Sequence, residues 1–457
     1  MDKTRLAKKA CFAFLLGTAA AIASLAQTFT TLVNFDVNNG EDPMLMSLVQ
    51  GADGYLYGTT SFGGTNNDGT IFKIAPVAGT LTTLHIFDGT DGRDTWAGLA
   101  QAIDGAFYGA TSSGGTNSDG TLFMITPQGT LTIMHRFDGT DGVGPVAAPT
   151  LAPGNAMYGT TAGGGAYGYG TVFEITSGGS LATLHSFNSI DGANPSGVLM
   201  QAADGNFYGT TGNGGTYNFG TVFTITSQGT MTTLHVFDGT DGAAPWAGLI
   251  QARNGHLYGT TTGGGANGDG TIFEITPQGT LTTLHSFSGR DGDEPFAPLV
   301  QGTDGNLYGT TVAGGVYGTI FKITPEGTLT TLHRFDSTDG EAPYGGLLQA
   351  TDGSFYGTAE AGGSSGAGTI FRLSVGLGPF VKTLPHTGKM GAVIEILGTD
   401  LTGATGVSFN GEGAVFTVNA TGTGISATVP AGATTGKIQV TAPGGTLFSG
   451  GPFIVLP

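Results

Sequence analysis

Apolar and small polar residues alternate along this chain in short runs, and the runs recur in groups of four at intervals of about fifty residues. In the fifth group they stand at 246–251, 256–261, 271–276 and 280–287, and Thr, Val, Ile, Phe and Tyr dominate them. Alternation at period two in β-branched and aromatic residues predicts half-buried strands, and no stretch carries an apolar stripe of helical period. Turn residues separate the runs. Asn254-Gly255, replaced by Asp-Gly in most copies, suits a tight hairpin, and Pro277-Gln278-Gly279 reverses the third run into the fourth.

Three markers repeat in fixed order. Tyr-Gly-Thr or a close variant begins at Tyr57, Tyr108, Tyr158, Tyr208, Tyr258, Tyr308 and Tyr356. Gly-Thr-aliphatic-Phe ends at Phe72, Phe123, Phe173, Phe223, Phe273, Phe321 and Phe371. Leu-His-x-Phe or a close variant places His85, His135, His185, His235, His285 and His333. Four antiparallel strands repeated seven times predict a seven-bladed β-propeller over residues 27–375. A β-helix is the rival repeat fold, but its coils are much shorter. Residues 28–35 form a lone outer-type strand before the first complete set, and 369–373 end the last set without one. The early strand is therefore expected to complete the last blade and close the ring.

Composition sharpens this picture. The 457 residues include 85 glycines, yet 39% are hydrophobic and only 11% charged, so regularly spaced core residues are present and a disordered Gly-rich chain is excluded. A net charge of −18 argues against nucleic acid or an anionic membrane surface as partner, because both demand a basic face. Residues 1–26 read as a signal peptide: Lys3, Arg5, Lys8 and Lys9 precede a short apolar stretch and a Ser24-Leu25-Ala26 cleavage site. Export is expected, and no transmembrane segment is expected in the mature chain. Cys11, the only cysteine, lies inside that segment, so neither disulfides nor thiol chemistry are expected to contribute.

The pattern Gly270-Thr-Ile-Phe-Glu-Ile-Thr-Pro-Gln-Gly-Thr-Leu-Thr-Thr-Leu-His-Ser-Phe287, with the Tyr-Gly-Thr-Thr motif ahead of it, resembles the GloVer tandem-repeat proteins of bacteria over roughly residues 28–374. That resemblance implies export and repeat architecture, often with varied C-terminal anchoring segments, and lends no biochemical role. Beyond Leu373 the repeat stops. Residues 391–411 and 427–445 resemble IPT/TIG domains, which implies an immunoglobulin-like sandwich over 376–457 acting as a spacer or contact module. Alternating runs at 393–397, 406–409 and 437–441 fit that reading by themselves.

Candidate chemistry is sparse. The repeated histidines invite a metal, but each is expected on the outermost strand of its own blade, too far apart to share one ion, and so to pack and hydrogen-bond locally. The loop Asp88-Gly-Thr-Asp91-Gly92 recurs with Asp138, Asp141, Asp238 and Asp241. Its carboxylates and flexible carbonyls suit Ca2+, while Asx-Gly sequences are also ordinary turn formers. No other cofactor is implied. Gly163–Gly168 matches a dinucleotide fingerprint and Gly362–Gly366 a nucleophile elbow, but neither has its following helix, and both are discarded.

Positions at which the repeats differ point to function, since the fold's demands are shared. In a propeller the loops leading into the innermost strand and those joining the second to the third open on one face. The first kind carries Met44, Trp96, Val146, Ser196, Trp246, Phe296 or Tyr344. The second carries Asp68, Asp119 and Asp269 in three copies, and Tyr167, Tyr169, Tyr217, Phe219 and Tyr317 in others. Aromatic rings beside polar groups on a rigid rim suit sugar rings and their hydroxyls; the rings could equally pack the channel mouth. Off-pattern carboxylates Asp94, Asp293, Glu294, Glu341 and Glu360 are the candidates for a glycosidase-type pair, though no catalytic residue can be named. The sequence thus favours a secreted or surface binding protein with carbohydrate or an extracellular protein as partner. A polysaccharide-active enzyme and a purely structural protein are the alternatives. The third copy has Leu151 and Pro153-Gly154 where its neighbours have Gln and Asp, so strict sevenfold equivalence is not expected.

Overall fold

The computed structural model describes residues 27–44, 47–152 and 156–456; residues 1–26, expected from sequence to be a signal peptide, lie outside the described residues. Seven four-stranded antiparallel sheets follow one another as the blades of a β-propeller, and an immunoglobulin-like β-sandwich follows them. In the fifth blade the strands, from the axis outward, are Ile250–Gln251, Leu257–Thr261, Thr271–Ile275 and Leu281–Ser286. The outer pair carries a bulge in every complete blade; here Ile272 faces His285 while Phe273 faces Thr283. The seventh blade combines Leu348–Gln349, Phe355–Ala359 and Thr369–Ser374 with Thr28–Asn34 as its outermost strand, so the early strand closes the ring as the sequence predicts.

The innermost strand is shorter than its run of alternating residues. Only Ile250 and Gln251 pair with the second strand. Residues 246–249 instead turn against the neighbouring blade, where Gly248 lies so close to Val198 that a Cβ on it would meet the Val198 carbonyl oxygen at 2.6 Å. Periodicity therefore reported burial here, not strand pairing.

The core lies between blades. Tyr258, Ile272 and Phe287 of the fifth blade pack with Leu299, Leu307, Phe321 and Ile323 of the sixth, and equivalent clusters recur around the ring. Each fully buried ring stabilises by roughly 1.5–3 kcal/mol. The glycine of Tyr-Gly-Thr has a packing cause: a Cβ on Gly259 would lie 2.6 Å from Phe273 Cζ and 2.7 Å from Leu249 Cδ2. The following threonines form a buried polar seam, with Thr261 and Thr271 hydroxyls 2.8 Å apart and Thr261 Oγ1 donating to the Gly263 carbonyl.

The glutamine ending the innermost strand acts as a clasp. Oε1 of Gln251, Gln301, Gln349 and Gln50 accepts the backbone N–H of Ala203, Arg253, Thr303 and Thr351 on the preceding blade, at 3.0–3.1 Å. The last of these spans the closure seam. On the other side of the ring the clasp fails: Gln101 Oε1 is buried without a partner, and Leu151 has no amide.

In the sandwich, one sheet runs Lys382–Leu384, Val393–Leu397, Gly424–Thr428, Phe416–Val418 and the other Glu412–Gly413, Gly406–Phe409, Ile438–Ala442, Gly445–Phe448. Val381, Ile396, Val407, Phe409, Ile425 and Ile438 fill the space between them. The sandwich sits on the face carrying the first hairpin turns. Asn419 Nδ2 and Thr423 Oγ1 donate to the Ala52 carbonyl at 2.9 and 2.7 Å, and Phe380 N–H donates to Thr351 O at 3.0 Å.

Candidate functional site

Most repeated polar side chains are committed to the fold. In each of the first six blades the histidine Nε2 meets the aspartate six residues later, from His85–Asp91 at 2.7 Å to His185–Asp191 at 3.0 Å. The other oxygen of that aspartate accepts a backbone N–H, as Asp91 Oδ1 does from Asp88. Asp88, Asp138 and Asp238 each accept a threonine hydroxyl and backbone N–H groups, and these hydrogen bonds hold their carboxyls below the usual range. The six aspartates weighed for Ca2+ thus serve turns and histidines. Among the described residues no group of three or more His, Cys, Asp or Glu is arranged to hold a metal ion. The Asp-Gly turns are similarly engaged: Asp53, Asp204, Asp304 and Asp352 accept the hydroxyls of Tyr57, Tyr208, Tyr308 and Tyr356.

The variable lead-in positions lie on the face opposite the sandwich. Trp246 and Phe296 are stacked, ring centroids 6.1 Å apart and planes within 6°, and Tyr344 meets Phe296 edge-on at 5.4 Å. The three half-buried rings form a continuous ledge across the fifth, sixth and seventh blades. Gly212 makes room for it, since a Cβ there would come within 2.6 Å of the Trp246 ring. Trp96, across the ring, does not join the ledge; its Nε1 is buried without a partner. Tyr167 and Tyr217 are 63% and 59% exposed on the loops of the third and fourth blades, with Tyr169 and Phe219 beside them in sequence. Tyr317 is half-buried and packs against the cluster of Phe335 and Leu347.

Carboxylates adjoin one end of the ledge. Glu360 occupies the place that Gly212 holds under Trp246, and burial, then the charges of Asp42 and Glu341, push its carboxyl up to about 7. Tyr344 is raised by burial and by Glu360 and Glu294 on its two sides. Asp42 is raised by burial and by Glu41. Sequence reasoning named Glu360, Glu341 and Glu294 but missed Asp42. The signal was its left-handed backbone, φ 52°, shared with Asp94, Asn194, Ala244, Glu294 and Ala342. In that conformation the residue's carbonyl accepts an N–H from the loop after the second strand of the blade it leads into, as Asp42 O does from Ser61, while its own N–H donates to the preceding blade, as Asp42 does to Ala367 O. Asp94 is tied down by Ser113 Oγ at 2.5 Å, and Asp293 is raised by burial and Asp269, away from Glu360.

Beneath the ledge a cavity of about 470 Å³ follows the propeller axis along the second to fifth blades. It runs from Trp246 and Phe296 at the mouth, past Leu199 and Leu249, to Gln101, Gln201 and His386 at its lower end.

Among solved structures, PorZ of Porphyromonas gingivalis, a surface component of the type-IX secretion system, is similar at 15% identity and TM-score 0.48, with 93% of this chain and 61% of that chain covered. A Bacteroides uniformis protein provisionally described as a 6-phosphogluconolactonase is similar at 17% identity and TM-score 0.46, with coverage of 67% and 89%. A gluconolactonase of Xanthomonas campestris is similar at 11% and 0.42, with coverage of 78% and 93%. No curated protein matches the chain. Among the described residues no helix is long and apolar enough to cross a membrane. The model of the Gloeobacter/Verrucomicrobia repeat matches residues 13–102, 46–253 and 227–408. With most of its length covered by those three spans, the chain belongs to the Gloeobacter/Verrucomicrobia repeat family.

Proposed function

We propose that this is an exported carbohydrate-binding protein, in which the propeller of residues 27–375 presents a sugar-binding rim and an IPT/TIG-like domain at 376–457 serves as its spacer. The ledge of Trp246, Phe296 and Tyr344 carries this reading. Two stacked rings with a third edge-on present apolar ring surface against which a pyranose can pack, and Glu294 and Glu360 beside Tyr344 can hold hydroxyls. The exposed Tyr167 and Tyr217 extend the same face. A glycan array probed with residues 27–457 and with the Trp246→Ala, Phe296→Ala double variant tests it. Saturable binding that the variant loses supports the rim site; no glycan bound by the parent chain refutes it.

One observation favours a second reading, a polysaccharide-cleaving enzyme. A carboxyl brought to about 7, as that of Glu360 is, suits a general acid at neutral pH, and Asp42 and Glu341 lie close enough to act on it electrostatically. Release of reducing ends from a bound glycan, abolished by Glu360→Gln with binding retained, would establish that reading over simple binding.

A further inference from the structure

The loop joining the second strand to the third has one backbone in five blades and two kinds of side chain. In the first, second and fifth blades it reads Asn66-x-Asp68-Gly69, Asn117-x-Asp119-Gly120 and Asn267-x-Asp269-Gly270. In the third and fourth it reads Tyr167-x-Tyr169-Gly170 and Tyr217-x-Phe219-Gly220. The middle residue is left-handed in all five, with φ between 59° and 90° at Asn67, Ser118, Gly168, Asn218 and Gly268, so the backbone does not ask for the rings. The asparagines serve the fold: Nδ2 of Asn66, Asn117 and Asn267 donates to the carbonyl of Phe87, Phe137 and Phe287 at 2.7–2.8 Å. Tyr167 and Tyr217 stand in place of that amide and are mostly exposed, so packing does not account for them either.

The loop leading from the third blade to the fourth makes the same exchange. Ile190 stands where Thr90, Thr140, Thr240 and Thr338 donate a hydroxyl to the aspartate two residues earlier at 2.6–2.7 Å. Its N–H still donates to Asn188 Oδ1 at 3.0 Å, so the turn is kept while the side chain is 79% exposed. This loop touches the next one, since Ser189 O accepts the Gly215 N–H at 2.9 Å. Tyr167, Tyr169, Ile190, Tyr217 and Phe219 thus expose five apolar side chains on neighbouring loops, and residues 162–170 and 212–220 include no charged residue. Monomers rarely expose such a patch unless something binds it. The patch also runs into the ledge. Phe219 O accepts the Ala244 N–H at 2.8 Å, and a Cβ on Gly220 would meet Pro245 Cδ at 2.6 Å. From Ala244 to Trp246 is at most about 7 Å of chain.

We propose that these loops are a second aromatic platform of the rim, and that its ligand is an extended, uncharged polysaccharide lying on Trp246 and Phe296 and continuing outward over Phe219 and Tyr217 toward the third blade. That ligand class rests on the rim reading and adds to it the length and charge of the glycan. A single sugar covers one ring and gains nothing from a platform spread over three blades, whereas one chain engages successive rings at high effective concentration. Exchanging aspartate for Tyr169 and Phe219 replaces a strongly hydrated group by a face on which pyranose C–H groups pack. A net charge of −18 disfavours an anionic polymer. Continuity with the ledge selects a polysaccharide over a protein partner, because one chain can occupy both.

The test is affinity electrophoresis of residues 27–457 in gels containing hydroxyethylcellulose, glucomannan or xyloglucan, with polygalacturonate and chitosan as charged controls. Calorimetry then compares the disaccharide and hexasaccharide of the retained polymer. The variant is Tyr217→Asn, Phe219→Asp, which installs the residues of the first and fifth blades and should melt no earlier than the parent. Retention by an uncharged polymer is expected, with the hexasaccharide bound about tenfold or more tighter than the disaccharide and that gap closed in the variant. Should the double variant not fold, Tyr217→Ala, which only trims an exposed ring, decides the matter. Equal affinity for the two lengths, an unchanged gap in a folded variant, or retention by chitosan alone each overturns the proposal. Dimerisation abolished by the same variant, with no polysaccharide retained, assigns the loops to a protein contact and overturns it too. Polysaccharide binding lost in Trp246→Ala, Phe296→Ala but unchanged in Tyr217→Asn, Phe219→Asp refutes this platform and leaves the ledge standing, whereas no retention by any polymer refutes both.

Discussion

Glu360→Gln should make the protein more stable at alkaline pH and remove part of its pH dependence. Glu360 is half-buried beside Asp42 and Glu341, and its carboxyl rises from 4.5 to about 7. A carboxyl whose pKa is raised on folding favours the protonated native state. Its contribution is fully present below about pH 4.5 and is lost as pH climbs through about 7. The gap of about 2.5 pH units (7 − 4.5), at about 1.4 kcal/mol each, sets a ceiling near 3.5 kcal/mol. Solvent screening of a half-exposed group reduces this to about 1–1.5 kcal/mol. Glutamine keeps the shape and never ionises. Guanidinium unfolding of parent and variant at pH 4.5 and pH 8 should therefore show equal stability at the lower pH and a variant advantage of about 1–1.5 kcal/mol at the higher. Equal stability at both values would refute the claim that burial and like charges strain this site.

Three further perturbations probe the frame. Gly259→Ala places a Cβ 2.6 Å from the Phe273 ring and should destabilise by about 1–3 kcal/mol in denaturant melts. Phe29→Ala removes a ring stacked 3.7 Å from His333 and 5.4 Å from Phe371 across the closure, and should cost about 2–4 kcal/mol and raise the unfolding rate. Gln349→Leu breaks a made clasp and leaves Thr303 N–H unpaired, so it should cost about 1–3 kcal/mol; Gln101→Leu, which breaks none, should cost less than 1 kcal/mol in the same melts.

Sequence showed the frame because seven copies average out local noise. Shared markers such as Tyr258, Gly259, Phe273 and Phe287 are the residues that pack blade against blade, and a repeat cannot fold without them. The placement of the histidines as local hydrogen-bonding groups was also legible, since strand geometry alone separates them. Their partner was not. Nothing in the spacing of Asp91 distinguishes a carboxylate bound to His85 from one awaiting a cation; only the fold of the outer strand onto the loop does so. The short innermost strand was missed for a related reason, since alternation records which side is buried and Gly248 packs against Val198 of the preceding blade. The off-pattern Leu151 was visible in sequence, but its meaning depends on a clasp between blades that no single repeat contains. The same holds for the ledge: Trp246, Phe296 and Tyr344 are fifty or so residues apart and become neighbours only because consecutive blades do.

Closure of the ring relies on several independent contacts, which matters in a chain whose one cysteine stands at position 11. The strand Thr28–Asn34 pairs with Thr369–Ser374 at the rim of the seventh blade, and Gln50 accepts Thr351 N–H near the axis. The sandwich adds a third link from below, gripping Ala52 of the first blade through Asn419 and Thr423 and Thr351 of the seventh through Phe380 and Thr399. These links lie on one side of the axis, where the glutamine clasps are also made. The opposite arc, from the second to the fourth blade, contributes much of the cavity wall and carries the exposed tyrosines 167 and 217. Restraint concentrated at the seam leaves that arc free to diverge from the repeat, because the departure at Leu151 and the unmade clasp at Gln101 loosen contacts that closure does not need.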